Sequence, residues 1–262
     1  MLTPEAFRAL HRPGDPFVLP NAWDLASARW LTAAGFAVLG TTSLGVALAA
    51  GLPDGAGRTA DATFALAQRL TAASIAVTVD IEAGFSDDPA VVARYVSRLA
   101  DLGVLGVNLE DSDAGGRLVD PALASAKVAA IAAAAPTVFI NARTDPFWIG
   151  GDDHPDERHV EAVRRARAYL AAGATGVFVP GGLTAERIAA LAGEIPAPLN
   201  VLVQPGVPLA ELAAAGVARV STGSLLFRVA LGSIEAAARA VRDGSFTPPP
   251  GTPGYDAVAS MP

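Results

Sequence analysis

TVDIEAG at Thr78–Gly84 decides the reading of the fold. An apolar, β-branched strand runs there into two carboxylates at its C-terminal end. Side chains alternate faces along a strand. Thr78, Asp80 and Glu82 are therefore expected on one face, and Val77, Val79 and Ile81 on the other. VNLEDS at Val107–Ser112 and FINARTD at Phe139–Asp145 repeat the pattern: Asn108 pairs with Glu110, and Asn141 with Arg143 and Asp145. GLPDG at Gly51–Gly55 adds a further carboxylate, Asp54. A carboxylate at a strand end is costly to bury unless it is paired or binds a metal. Several of them converging on one place make a site.

Outward from this stretch, the chain alternates strand and helix eight times. Strands are expected at Phe17–Pro20, Ala37–Thr42, Ile75–Glu82, Leu105–Glu110, Thr137–Ala142, Gly176–Val179, Asn200–Val203 and Arg219–Ser221. Helical periodicity fills Asp24–Ala34, Ala60–Ala73, Pro89–Leu102, Pro121–Ala134, Glu157–Ala172, Thr184–Ala192, Leu209–Ala215 and Ser224–Arg242. Gly35, Gly103, Gly173, Gly193 and Gly216 follow helices, where a left-handed residue is needed. Eight β-α units without a composition break predict one α/β domain, a (β/α)8 barrel over residues 1–262 with a Pro-rich tail at 247–262. A doubly wound sheet would more often show a Gly-rich phosphate loop after its first strand, and LPNAWD at Leu19–Asp24 has none. In a barrel the active site lies at the C-terminal strand ends, where the charged residues sit.

Composition bounds the function. Of 262 residues, 52% are hydrophobic, ample for one large core. The formal net charge is −7, no basic patch runs along the chain, and nucleic acid is not expected as a partner. The absence of cysteine rules out disulfides, thiolate catalysis and cysteine–metal sites. No apolar run reaches the roughly 18 residues that span a bilayer. MLTPEAFRALHRPGDP lacks a basic region followed by an apolar one, so it does not read as a signal peptide. The expectation is a soluble, cytoplasmic protein with no membrane partner.

Asp80 and Glu82, with Asp54 and Glu110 from neighbouring units, form an all-oxygen set that suits Mg²⁺, with Mn²⁺ as a substitute. The alternative is carboxylates that cap helices or pair with Arg143. Arg143 suits bidentate recognition of a carboxylate or phosphate; the alternative is a brace to Glu110 or Asp145. GTTSLG at Gly40–Gly45 reads as a loop whose hydroxyls and N–H groups suit an anionic oxygen. STGS at Ser221–Ser224 reads equally as a phosphate position or as a cap of the last helix. His154 and His159 read as solvated, and His11 carries no signal. The last helix is apolar over more than one face. Leu225, Leu226, Val229, Ala230, Ile234, Ala237 and Val241 form a wide stripe that Phe227, Leu231 and Ala238 extend. That predicts a homodimer or homotetramer with this helix at the interface.

From LPNAWD to the last helix, these segments resemble the isocitrate lyase/phosphoenolpyruvate mutase superfamily. In that family an Asp-x-Asp on the third strand holds Mg²⁺. Asp80 matches its first Asp, and Glu82 replaces the second. Asp54 matches a further metal-shell Asp, Glu110 the fourth-strand Glu, and Arg143 the Arg of a NAR-T-D-like segment. Thr42, Ser43 and Leu44 match the loop that holds the substrate carboxylate, and Asn200 a substrate-contacting Asn. The family also exchanges its last helix between subunits. The resemblance implies a Mg²⁺-dependent enzyme acting on a small α-keto acid through an enolate: a carbon–carbon lyase, decarboxylase or hydrolase. Arg143, Glu110 and Asp54 would be catalytic; Asp80, Glu82 and Asp54 would hold the metal; Thr42, Ser43, Leu44, Arg143 and Asn200 would bind substrate. One departure is plain. Lyases carry a Lys-Lys-x-Cys-Gly-His lid after the fourth strand, and DSDAGGRLVDP at Asp111–Pro121 has no Cys, Lys or His. A lyase using that Cys as its acid is excluded. Three alternatives remain: phosphonomutase-type P–C chemistry, a ketopantoate hydroxymethyltransferase-like aldol transferase, and a non-catalytic α-keto-acid binding protein.

Overall fold

Proline has no N–H to give a neighbouring strand, and the first strand divides at Pro20 into β1 (Phe17–Leu19) and β2 (Asn21–Ala22). The computed structural model, which describes residues 2–149 and 154–261, continues with β3 (Leu39–Thr41), β4 (Val77–Asp80) and β5 (Gly106–Leu109). β6 (Phe139–Arg143), β7 (Gly176–Val179), β8 (Leu199–Leu202) and β9 (Arg219–Ser221) follow. All pairings are parallel, in the order β1-β9-β8-β7-β6-β5-β4-β3-β2. Because β1 and β2 are two pieces of one strand, this order closes on itself. Pro20 still contributes its carbonyl, which accepts the Gly40 N–H at 2.9 Å. The result is the expected single (β/α)8-type barrel.

The helices obey their caps. Asp24, Asp88, Asp120 and Thr184 each accept a first-turn N–H, and proline opens the helices Pro89–Asp101 and Pro121–Ala134. Their apolar faces pack on the outside of the barrel with Val77, Val79, Val107 and Ile140 on one side and Val177, Val179, Val201 and Val220 on the other.

Among the described residues four helices escaped the sequence reading: Pro4–Leu10, Ser43–Ala49, Pro146–Ile149 and Tyr255–Ala259. Pro4–Leu10 covers the N-terminal end of the barrel, where Phe7, Leu19, Val38, Leu105 and Phe139 form a plug. Ser43–Ala49 begins within GTTSLG, read above as a loop. It folds as a helix because Gly45, Val46 and Ala47 are buried. A Cβ at Gly45 would lie 2.6 Å from the Trp23 Cβ, so only glycine lets the helix sit this close.

Above the plug lies a polar layer. Asn108 Oδ1 accepts from Asn141 at 2.9 Å and from Arg219 at 3.2 Å. Arg219 Nε donates to Ser221 Oγ at 3.0 Å, and Ser221 donates to Asn200 Oδ1 at 3.0 Å. Arg219 is fully buried, and burial lowers its pKa to about 9.

The last helix, Leu225–Arg242, buries only Phe227. Val229, Leu231, Ile234 and Val241 are each between 48% and 64% exposed. The tail carries a short helix, Tyr255–Ala259, and its last residue, Pro262, lies outside the described residues.

Candidate active site

The C-terminal strand ends open into a cavity of about 800 Å³. Asp54, Asp80, Glu82, Glu110 and Arg143 all line it, as do Thr42, Ser43 and Leu44. Asn200 does not. It is buried in the polar layer below, bonded to Ser221, and the substrate contact expected for it is corrected to a structural one.

Asp80 is the last residue of β4. Its N–H donates to Thr41 Oγ1 at 2.9 Å, and its own Oδ1 accepts the Glu82 N–H at 3.1 Å. Burial pushes its pKa up to about 6; the Glu82 and Asp54 charges add to the push, and Arg143 pulls against it.

The strand-face reading of Glu82 fails. β4 ends at Asp80, and Glu82 has φ +48°, a left-handed conformation that costs a non-glycine residue strain. This turn, rather than alternation, brings Glu82 to the mouth. Its carboxylate accepts from Thr59 Oγ1 and from the Gly57 N–H. It thereby ties the 54–59 segment, with Asp54, to the barrel rim.

Arg143 ends β6 and donates to two carboxylates. Nε reaches Asp145 Oδ1 at 2.6 Å, and Nη1 bonds Glu110 Oε1. Its guanidinium carbon lies 5.2 Å from the Trp148 ring centroid and 5.8 Å from that of Phe178, within cation–π reach. Burial works against its charge, yet Glu110, Asp145 and Asp80 hold the pKa above the ordinary arginine value. Burial, with Asp80, Asp145 and Glu82 nearby, raises Glu110 well above the carboxylate range despite Arg143. Asp145, fully buried, is held in turn. Ser112 donates to it at 2.5 Å, and its N–H donates to Asp111 Oδ1 at 2.8 Å. Asp111 Oδ2 accepts from Tyr169 at 2.6 Å and Arg165 at 3.2 Å. The brace expected of Arg143 is therefore present: a guanidinium fixed by two carboxylates, whose Nη2 enters neither pair.

The segment after β5 is closed on itself. Ser112 bridges Leu118, and the Asp113 N–H donates to the Arg117 carbonyl at 2.8 Å. The Asp113 carboxylate takes the Gly115 and Arg117 N–H groups and the Arg117 guanidinium. A hollow of about 310 Å³ behind it reaches Lys127, a buried residue the sequence reading did not single out. Lys127 Nζ donates to the Ala83 carbonyl at 3.0 Å and to Asp87 at 3.2 Å.

Two further expectations are corrected. In STGS, the Thr222 and Gly223 N–H groups both donate to Asn21 Oδ1, at 3.1 and 3.0 Å, so they are not free for an anion. Ser224 makes no side-chain cap bond. His159 is buried, its Nε2 2.8 Å from Glu194 Oε1, whereas His154 is exposed.

Among the described residues no three carboxylate or imidazole side chains close on a common point at metal-ligand distance. The donors are hard oxygens, with Asp80 facing like charges that a cation would relieve. Mg²⁺ takes one or two carboxylates and keeps several waters, and this set fits it.

The sequence model of the phosphoenolpyruvate phosphomutase family matches residues 7–242. An uncharacterised protein of Mycobacterium tuberculosis is 47% identical over 93% of this chain and 91% of its own length. The 2-methylisocitrate lyase of Bacillus subtilis is 30% identical over 74% of this chain and 64% of its own. The fold matches that of a phosphonopyruvate hydrolase crystallised with oxalate and Mg²⁺. That match has a TM-score of 0.84 and 24% identity, and covers 100% of this chain and 95% of that one.

Proposed function

From the premise that the chain belongs to the phosphoenolpyruvate phosphomutase family, within the isocitrate lyase/phosphoenolpyruvate mutase superfamily, we propose a Mg²⁺-dependent enzyme that acts on a small α-keto acid. The observation that carries this reading is Arg143, clamped by Glu110 and Asp145 and facing the Asp80–Glu82–Asp54 carboxylates across one cavity. Asp80 would hold the cation, with Glu82 and Asp54 in its water shell. Bound there, Mg²⁺ supplies a Lewis acid that polarises a keto oxygen.

The chain's own groups do the rest. Thr42, Ser43 and Leu44 line the wall that would take the carboxylate. Arg143 is positioned in advance by its two carboxylates, so it stabilises negative charge developing on the keto oxygen without reorganising. Glu110, raised by burial, can hold a proton at Oε and exchange it with the reacting carbon or oxygen. The reaction class is carbon–carbon cleavage, decarboxylation or hydrolysis.

One observation favours a second reading, binding without turnover. The only cation of the post-β5 segment, Arg117, is turned onto Asp113 and supplies no acid to the cavity. Product formation separates the two readings.

A thermal-shift screen tests the shared core. With Mg²⁺ present, an oxo acid at a hundredfold excess over Kd adds about 2.7 kcal/mol of stability, and the melting temperature rises. If pyruvate, oxaloacetate, 2-oxoglutarate and larger oxo acids all leave it unchanged, the proposal fails.

A further inference from the structure

The cavity is asymmetric, and the asymmetry speaks to the substrate. In the closed order of strands, β4 lies diametrically opposite β8, and β3 opposite β7. The carboxylates follow β3, β4 and β5. The side across from β3 and β4 is apolar: Phe178 lies in β7 and Pro180 follows it, Leu202 ends β8 and Val203 follows it, and Trp148 and Ile149 close in after β6; across from β5, the Ser221–Ser224 segment at the end of β9 is polar. Gln204 is the amide on the apolar side, and it is turned into the fold. Its Oε1 accepts the Leu183 N–H at 2.9 Å, and its Nε2 donates to the Gly181 and Leu202 carbonyls, each at 3.0 Å.

Charge points the same way. Among the described residues the lining holds Asp54, Asp80, Glu82, Glu110 and Asp113 against only Arg143 and Arg228. Arg143 is already shared between Glu110 and Asp145, and Arg228 is exposed at the rim. The wall between β6 and β8 carries no cation of its own, and Arg228 lies beyond it at the rim, in the last helix after β9; a second carboxylate laid along that wall would be unpaired, and an unpaired charge there costs affinity. A cavity of about 800 Å³ is of the size that takes drug-sized ligands and exceeds what a two- or three-carbon acid fills.

We propose that the substrate is an oxo acid with one carboxylate at its reacting end and an uncharged apolar arm of several carbons, lying against the Trp148–Phe178–Leu202 wall. This rests on the oxo-acid reading above and narrows it.

The test is a calorimetric titration series on the full chain with Mg²⁺ present. The ligands are oxalate, pyruvate, 2-oxobutanoate, 2-oxopentanoate and 4-methyl-2-oxopentanoate, with 2-oxoglutarate as the charged counterpart. Kd should fall about threefold to fourfold for each methylene added. The dicarboxylate 2-oxoglutarate should bind at least tenfold more weakly than 2-oxopentanoate, which has the same number of carbons. Val203→Lys, at a rim position that is 37% exposed, places a cation on the wall. It should move the ratio of these two affinities at least tenfold toward 2-oxoglutarate. An unmoved ratio, or 2-oxoglutarate binding the wild type as tightly as 2-oxopentanoate, overturns the inference. If oxalate and pyruvate bind while added methylenes gain nothing, the oxo-acid reading stands and the apolar arm falls. If none of the series binds, both fall together.

Discussion

His11 shows how much one side chain can carry without touching the site. Its ring stacks on Phe139 with centroids 3.9 Å apart, Nδ1 lies 2.9 Å from the Phe7 carbonyl, and Nε2 is buried with no partner. The Nδ1 contact assigns the proton to Nδ1, leaving Nε2 as the atom that would be protonated in acid. Burial lowers its pKa to about 3, and the Arg219 and Arg8 charges add to that. The folded value lies below the unfolded one, near 6.5. Between these two values the unfolded chain binds more protons. The stability His11 allows is complete above about pH 6.5 and is lost as pH falls toward 3, at up to about 1.4 kcal/mol per pH unit. His11→Phe keeps the stack and removes the titration. Urea denaturation between pH 7 and pH 4 should show a flatter acid limb for the variant, and superimposable limbs would contradict the assignment. Arg143 is the counterpart within the site. Lys cannot reproduce its fork onto Glu110 and Asp145, so Arg143→Lys should lower turnover about a hundredfold or more, read in steady-state kinetics on whichever oxo acid the screen identifies. Near-wild-type turnover would assign Arg143 to bracing alone.

At the scale of elements, glycine sets how closely the barrel closes on its plug. A Cβ at Gly106, the first residue of β5, would lie 2.9 Å from the Phe139 carbonyl oxygen and 3.0 Å from Phe7 Cε1. Gly193, in the helix Ala185–Glu194, would meet nothing within 4 Å. Gly106→Ala should therefore cost about 1–3 kcal/mol. Gly193→Ala should be neutral or stabilise by up to about 1 kcal/mol. Chemical denaturation midpoints moving in the same direction would contradict this account. Elements bounded by strong signals were legible in the sequence at their observed limits, among them Pro121–Ala134, Gly176–Val179 and Arg219–Ser221. Pro4–Leu10 and Ser43–Ala49 were not. Each is seven residues long, too short for periodicity to show, and tertiary burial decides their conformation. Asp80 and Arg143 were legible because strand alternation holds to the ends of β4 and β6, and Glu110 because it directly follows β5. Glu82 was placed for the wrong reason, since alternation stops where φ turns positive. The Asn108–Arg219 and His159–Glu194 contacts join residues 111 and 35 positions apart, and no local pattern reports such distances.

For the whole molecule, no helix among the described residues is long and apolar enough to cross a membrane. The exposed apolar residues of Leu225–Arg242 form a face that calls for a cover. Ile234 at 64% and Val241 at 61% exposed lie along the same element. We expect a second copy of the chain to supply that cover, giving a dimer or tetramer. Light scattering coupled to size exclusion should return a multiple of the 26.5 kDa chain mass, and Ile234→Asp should shift it toward the monomer. A wild-type species at the chain mass in micromolar solution would contradict this. The account as a whole stands on the carboxylates at the barrel mouth gathering a divalent cation for an oxo acid. Isothermal titration of Mg²⁺ into the wild type and Asp80→Ala, each with oxalate present and circular dichroism matched, tests that most directly. Saturable binding by the wild type, lost in the variant, is the result predicted; equal affinity in both, or no binding by either, would contradict it.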